Sequence, residues 1–361
     1  MTLKELIAIT GIADHESAKQ LHDFFMKAGI KDVGQRIVRV EKSKESVGDK
    51  KTSNITTLNQ SETEALWNKY FSDTNKQSME ENYFLETGEQ IGLGTICGLE
   101  VKSDVASIDI SNITAENETC VVSVSKNSTL EITRSQENTG MKKNHVIILL
   151  QEDASVVYNS LHHGANSVQV TTETFFQKKN SKLISNIASL NQSASHHSVQ
   201  SILLEENGDN ETNVTFETKE NQHGIVKVNN VFIGSNCKGV IKINGIIENH
   251  SICDIEGKIR IRDKANGTDS NLAEKLLLLG DNAICNAKPI IAIDTDDVKA
   301  GHGASMSRID DEDLFYFQSR GIAKNEAHRL IKHGFLVAPF ENLKPDHPFI
   351  AEINRLIDAE Q

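Results

Sequence analysis

From residue 257 to residue 335 the chain reads Gly257-Lys-Ile-Arg-Ile-Arg-Asp-Lys-Ala-Asn-Gly-Thr-Asp269, Leu276-Leu-Leu-Leu279, Lys288-Pro-Ile-Ile-Ala-Ile293, Asp296-Asp-Val-Lys-Ala-Gly-His-Gly-Ala-Ser305, Leu314-Phe-Tyr-Phe-Gln-Ser-Arg-Gly-Ile322 and His333-Gly-Phe335. Its first part alternates apolar with polar side chains, the pattern of a strand with one buried face. After about residue 305 the period changes. Ser307 followed by Asp310 fits the Ser-x-x-acid start of a helix. The acidic run Asp310-Asp-Glu-Asp313 then suits the positive end of a helix dipole, and Gly321 suits its stop. A second helix is expected from about Asn325 to His333, with Ala327, Leu330 and Ile331 as its apolar stripe and Gly334 as its end. Pro339, Pro345 and Pro348 break the tail before a short helix near Ile350 to Ile357.

Upstream, from about residue 91, short β-type runs recur, among them Val121-Val-Ser-Val124, His145-Val-Ile-Ile-Leu-Leu150, Ile225-Val-Lys-Val228 and Val240-Ile-Lys-Ile243. Asn, Gly, Ser and Asp separate them, and no useful helical period intervenes between residues 120 and 265. The first proline is Pro289, which suits a long β body because proline removes a ladder donor. Strands joined by short loops without crossover helices leave two architectures, an antiparallel sandwich or a β-helix of stacked strands. Asn207-Gly, Asn244-Gly and Asn266-Gly would serve hairpins. No clean short repeat is visible, and the residues alone leave the choice open. Nearer the start, residues 1–38 read as helical, residues 40–63 as a polar linker, and Ala65 to Phe71 as a short helix.

The net charge is −13, which makes a phosphate backbone a poor partner. No apolar run approaches the length that spans a bilayer, and the first residues lack a secretory pattern, so a cytoplasmic protein is expected. The five cysteines, Cys97, Cys120, Cys237, Cys253 and Cys285, are odd in number and contain no Cys-x-x-Cys pair, which argues against a disulfide framework or a closed zinc knuckle. There is no phosphate-binding Gly-x-x-x-x-Gly-Lys loop, nucleophile elbow or His-Glu-x-x-His helix. An exported carbohydrate-active β-helix enzyme is disfavoured by the missing leader and by the helical end.

The Lys-Pro-x-x-x-Ile strand, the Asp-Asp-Val-Lys…His-Gly-Ala segment and the Leu-Phe-Tyr…Ser-Arg-Gly-Ile helix occur in an order and spacing that resemble the C-terminal core of SufB/SufD iron–sulfur cluster assembly proteins. The resemblance covers roughly 80 residues and fades upstream. It implies a mainly β fold, a right-handed parallel β-helix with an N-terminal α-containing region and a C-terminal α-helical domain. The expected division is 1–90, 91–304 and 305–361. It further implies a non-catalytic scaffold that pairs with a SufB-like paralogue or with itself, and that docks a SufC-like ABC ATPase on its C-terminal helices. No tightly bound cofactor is expected, though iron or a transient cluster would be handled at the dimer interface. A SufB-like homodimer acting with the ATPase is the alternative.

Among individual residues, His302 is the leading ligand candidate. It lies between two glycines, an imidazole suits iron, and the matching histidine of SufD-like members is implicated in cluster assembly. Cys285 is second, as a soft ligand. The cysteine that marks SufB-like members falls nearer Ala283, which favours the SufD side. Phe315, Tyr316, Arg320 and Gly321 are assigned to ATPase contact, since an aromatic patch with an arginine has the composition of an interface hot spot. Asp294, Asp296 and Asp297 read as turn residues rather than cation ligands. The pairs His162-His163 and His196-His197 cannot each chelate one ion, because strand neighbours point to opposite faces; one member of each could still meet across a solenoid.

Overall fold

The computed structural model describes residues 55–58, 96–102, 105–116, 119–137, 140–164, 167–190, 194–309 and 311–359, together with Glu62 and Ala65. The helix expected over 1–38, that over 65–71 apart from the helical Ala65, and most of the polar linker lie outside the described residues.

Two long sheets face each other. The first holds, in spatial order, β1 (Ile55–Leu58), β2 (Ile96–Val101), β4 (Thr119–Val124), β6 (Gly140–Leu150), β8 (Ser167–Gln177), β10 (Ala194–Leu203), β12 (His223–Phe232), β14 (Ile252–Ile261) and β16 (Ile284–Ile293). The second holds β3 (Ser107–Asp109), β5 (Thr129–Glu137), β7 (Ser155–His163), β9 (Lys182–Leu190), β11 (Asp209–Thr218), β13 (Lys238–Glu248), β15 (Thr268–Leu279) and β17 (Val298–Arg308). Successive strands alternate between the sheets, and each strand after β1 pairs in parallel with the one two places on. The result is a parallel β-solenoid, as the family resemblance implied. β1 falls inside the stretch read as linker and pairs antiparallel with β2.

The sandwich alternative fails at the turns. Asn127, Asp153, Asn180, Asn207 and Asn236 occupy the left-handed region with φ of 55° to 60°, and Gly267 continues the series at 72°, at intervals of 26 to 31 residues. Asn, Asp and Gly tolerate this conformation best. Each donates its backbone N–H to a carbonyl at the next corner, as from Asn180 to Glu206 and from Asn236 to Asn266, at 2.7–3.2 Å along the column. Side chains stack there too: Asn207 Nδ2 donates to Asn180 Oδ1 at 3.1 Å, and Asn180 Nδ2 to Asp153 Oδ1 at 3.0 Å. A repeat is therefore present, although its variable length hid it. Asn207-Gly and Asn266-Gly form corners of the coil. Asn244-Gly lies inside β13, where Gly245 faces Phe216 in register on β11.

Inward positions of both sheets fill one apolar core from Leu99 to Ala283. The outer face of the second sheet is covered by the C-terminal segment, comprising α3 (Lys324–Val337), a single 3-10 turn (Ala338–Phe340) and α4 (Pro348–Asp358). Leu336, Phe340, Phe349, Ile350 and Ile353 pack there on Leu161, Leu190, Ile246 and Leu277. Between these apolar contacts, Lys332 Nζ reaches Glu217 at 2.7 Å and Glu248 at 2.6 Å, and Asn244 donates to the Phe335 carbonyl at 2.7 Å. Two helices precede and connect this cap: α1 (Ser111–Glu116), beside β4 and β5, and α2 (Asp311–Ser319). Ser307 and Arg308, expected to open α2, are still strand: β15 offers β17 a full row of partners as far as Arg308, and the tertiary ladder outcompetes a local capping signal. Gly334 likewise lies inside α3, since packing of Leu336 on the sheet carries the helix past it. Among the described residues no helix is long and apolar enough to cross a membrane.

Gly245 is required by volume. A Cβ there would stand 2.1 Å from the Phe216 ring, and the surrounding lumen is filled. Gly245→Ala is expected to destabilise the protein by about 1–3 kcal/mol through overpacking. Combining it with Phe216→Leu should recover part of that loss, and thermal melts of the two single variants and the double variant check this coupling.

Candidate functional site at the last turn of the solenoid

Among the described residues, β16 and β17 end their sheets, each pairing on one side only. A terminal strand presents a row of unpaired backbone groups, the usual template for adding another chain. Pro289, opposite Gly257 on β14, is tolerated here because an edge strand needs only half its donors.

His302 sits in the middle of β17 rather than at a β-to-α junction, and pairs in register with Leu272. Paired residues in a parallel ladder share a face, and Leu272 is fully buried in the lumen core. The His302 side chain therefore belongs to the lumen face of the last turn, yet it is exposed because no strand stacks beyond it. Of its flanking glycines, Gly303 has open space at its Cβ position, on the opposite face of the strand.

Cys285 lies on the same turn but on the other sheet, in register with the buried Cys253. It is half-buried against the core. Burial pushes its thiol up to about 12, with the charges of Asp254 and Glu274 adding to the effect. In the lone chain Cys285 is thus a neutral thiol at pH 7; metal ligation demands the thiolate. The two candidates are not opposite one another. Gly257, four residues before the end of β14, meets Leu272, four residues into β15. By the same geometry His302 opposes Pro289, and Cys285 lies four residues further along, about 13 Å at the rise of a strand. One ion cannot bridge them within this chain.

Reading the sequence missed Glu274. It is buried at a lumen position of β15, in register with Ala304 of the last turn. Its carboxylate lies over Gly257, where a Cβ would stand 2.5 Å from Oε1. Burial pushes its carboxyl up to about 7, against the opposing effect of the Gly257 backbone N–H. The signal was available in the alternation Thr268, Ser270, Leu272, Glu274, Leu276, which places an acid on the apolar parity. Asp294, Asp296 and Asp297 occupy the exposed turn between β16 and β17. Arg260 donates to Asp294 Oδ1 at 2.7 Å, and the Asp297 carbonyl accepts from Gly267, in keeping with their reading as turn residues.

α2 follows directly. Phe315 and Tyr316 are 69% and 60% exposed. Arg320 lies 5.4 Å from the Tyr316 ring centroid, a cation–π contact. Gly321, at φ +82°, ends the helix.

The fold and site define a class: a parallel β-solenoid with an edge-exposed last turn and a helical cap on one outer face. Residues 107–335 match the family model described as SUF system FeS cluster assembly, SufBD core domain. The chain belongs to the SufB/SufD family of iron–sulfur cluster assembly proteins. It is 34% identical over 138 residues to the iron-sulfur cluster assembly protein SufD of Bacillus subtilis, a stretch that is 38% of this chain and 31% of that protein. It is 39% identical over 90 residues to SufD of Escherichia coli, covering 25% and 21% of the two chains. A SufBD family protein of Staphylococcus epidermidis matches at 28% over 218 residues, 60% of this chain and 46% of the relative. The chain thus spans less than half the length of each of these curated relatives.

The raised pKa of Glu274 has a defined sign. Between the unfolded carboxyl value near 4.5 and about 7, the folded state holds a proton that the unfolded state has lost. Stability from this group is therefore full below pH 4.5 and declines as pH rises to about 7. Glu274→Gln should be the more stable protein at pH 8, by at most about 3 kcal/mol, with the difference vanishing near pH 4.5. Denaturant melts across that range give the answer; a constant difference would mean that Glu274 ionises normally in the fold.

Proposed function

We propose that this chain is a non-catalytic, SufD-like scaffold subunit of a cytoplasmic SUF-type complex. Its three parts divide as residues 1–90, a solenoid from 91 and a C-terminal helical domain, the last strand running to Arg308 rather than ending at 304. The solenoid pairs, through the free edges of β16 and β17, with a SufB-like paralogue. His302 then stands at the shared seam as a ligand to iron or a nascent cluster, which is the complex's product rather than a resident cofactor. The observation that carries this reading is the exposed imidazole on the lumen face of an unpaired edge strand, in a chain of this family. Because Cys285 lies too far along the lumen to share an ion with His302, a second soft ligand must come from the partner. Phe315, Tyr316 and Arg320 on α2 dock a SufC-like ABC ATPase, with Gly321 setting the end of the docking helix. Their support is exposure: among the described residues these two large aromatics, beside an arginine, stay largely uncovered.

A SufB-like homodimer is favoured by one observation, a cysteine on the same terminal turn as the histidine. Two copies would then supply each other's soft ligand.

Co-expression with the ATPase subunit and a SufB-like paralogue separates these readings. Co-elution of all three chains is expected. Phe315→Ala with Tyr316→Ala should weaken ATPase binding at least tenfold, in the range of hot-spot losses, while the paralogue stays bound. His302→Ala should leave the assembly intact and abolish cluster accumulation under anaerobic reconstitution; normal accumulation would remove His302 from the chemistry. Self-association at the solenoid end with no place for a paralogue would favour the homodimer.

A further inference from the structure

Inside the solenoid, well before the last turn, the apolar lumen is interrupted by six polar side chains. Arg134 comes from β5, Tyr158, Ser160 and His162 from β7, Glu173 from β8 and His197 from β10; all are at most 2% exposed. Glu173 is their centre. Its Oε1 accepts from Tyr158 at 2.6 Å, Ser160 at 2.7 Å and Arg134 at 3.1 Å. Its other oxygen, Oε2, faces His197 Nε2 at 3.0 Å, while His162 Nε2 lies 3.3 Å from Oε1. The two imidazoles meet edge to face, with centroids 4.8 Å apart and planes at 84°. Strand alternation selects one histidine from each adjacent pair for the lumen and turns His163 and His196 to the opposite face.

We propose that His162, Glu173 and His197 form a buried binding site for one divalent first-row transition-metal ion. The three ligand atoms lie within 4.8 Å of one another. Around an ion with bonds of about 2.0–2.2 Å, neighbouring ligand atoms stand roughly 3 Å apart. His197 Nε2 already stands 3.0 Å from Glu173 Oε2, whereas His162 Nε2 approaches the other oxygen at 3.3 Å, so a shared ion needs the carboxylate or the His162 ring to turn. Two imidazoles and one carboxylate suit iron, zinc or cobalt rather than the oxygen-seeking magnesium and calcium.

In the metal-free protein both rings turn Nε2 to the Glu173 carboxylate. A neutral imidazole that donates there keeps its lone pair on Nδ1, so binding an ion through Nε2 takes the other tautomer. His162 Nδ1 has no hydrogen-bond partner among the described residues, so the hydrogen-bond network leaves that ring partly unused.

Arg134 is both support and competitor. It also donates to Thr114 at 3.2 Å and to Gln136, and it neutralises Glu173 in the metal-free protein. Its place on Oε1 leaves Oε2 to the metal. Its charge opposes a second cation nearby, so affinity is limited by this residue. That the ion is ferrous iron held as cargo rests on the function proposed above; the site itself does not.

The test uses the purified full chain, metal-free and anaerobic, carrying His302→Ala and Cys285→Ser to silence the last turn. Titration with Co(II) is followed by its visible bands, and Fe(II) by equilibrium dialysis with metal analysis. One equivalent of each is expected. His162→Gln and His197→Gln should each weaken binding at least tenfold, while Arg134→Met should tighten it at least tenfold and show the larger rise of Tm on adding metal. Where a variant fails to fold, the Co(II)-loaded background protein itself decides: proton NMR should show hyperfine-shifted signals from two imidazoles. No saturable binding in that background, binding unchanged in His197→Gln, or a Co(II) spectrum without imidazole signals overturns the proposal. It would then identify the cluster as a structural ion-pair network. None of these outcomes alters co-elution with the ATPase, so failure here is distinct from failure of the scaffold reading.

Discussion

Six successive turns of this solenoid, from Asn127 to Gly267, close through a residue held at positive φ, and that residue hands its N–H to the corner of the following turn. The rest of the molecule depends on this repeated contact. A corner in the left-handed region reverses the chain between facing sheets within a few residues, so no crossover helix is needed. Because these corners are bonded one to the next, neighbouring strands cannot slip. In a β ladder, slippage by one residue would move every inward side chain to the outer face. The amides of Asn159, Asn186 and Asn213 on β7, β9 and β11 add a second column, in which Asn186 donates to Asn159 at 2.8 Å and Asn213 to Asn186 at 3.1 Å.

A locked register explains how side chains distant in sequence come to share a small volume. His162 and His197 reach Glu173 because alternation and register together decide which face each residue joins. The same rule places Glu274 over Gly257 and sets His302 on the lumen side of the final strand. It also keeps Cys285 and His302 apart: each is fixed by its ladder, and neither strand can slide to bring them together. In this fold a functional contact between the two sheets is decided by counting from the corner.

The two outer boundaries of the coil are treated differently. One face of the second sheet is sealed by α3 and α4, whose apolar side chains form a second core with the strands. Lys332 threads between them to Glu217 and Glu248. Burial opposes its charge, but the two carboxylates more than restore it and raise its pKa. Removing one partner from such a group leaves the others buried and uncompensated, so the ion triad ties the helical cap to one position on the sheet. The last turn, by contrast, keeps its edge strands unpaired among the described residues, and α2 beside it leaves its aromatics uncovered. The coil is thus closed along the capped face and left open, among the described residues, at its last turn.

Much of this was legible in the residues. Alternation marked the strands from Val121 to Arg262, and the clustered apolar stripe near Leu330 marked α3. The segment from Lys288 to Ile322 was enough to recognise the family and, through it, to prefer a solenoid over a sandwich. Composition disfavoured nucleic acid as a partner. The tertiary structure decided what depends on long-range pairing. The repeat was invisible because its length drifts from 26 to 31 residues while few corner residues in each turn are constrained. Ser307 and Arg308 became strand, and Gly334 stayed helical, because a sheet partner in one case and a packed face in the other outweighed local signals. The buried parity of Glu274 and the chance of one histidine from each pair meeting were readable, but the place of Glu274 over Gly257 and the gathering of Arg134 and Glu173 around His162 and His197 were not. Sequence specifies which face a residue takes on its own strand, but which residues stand across the lumen is set by the corners of the coil.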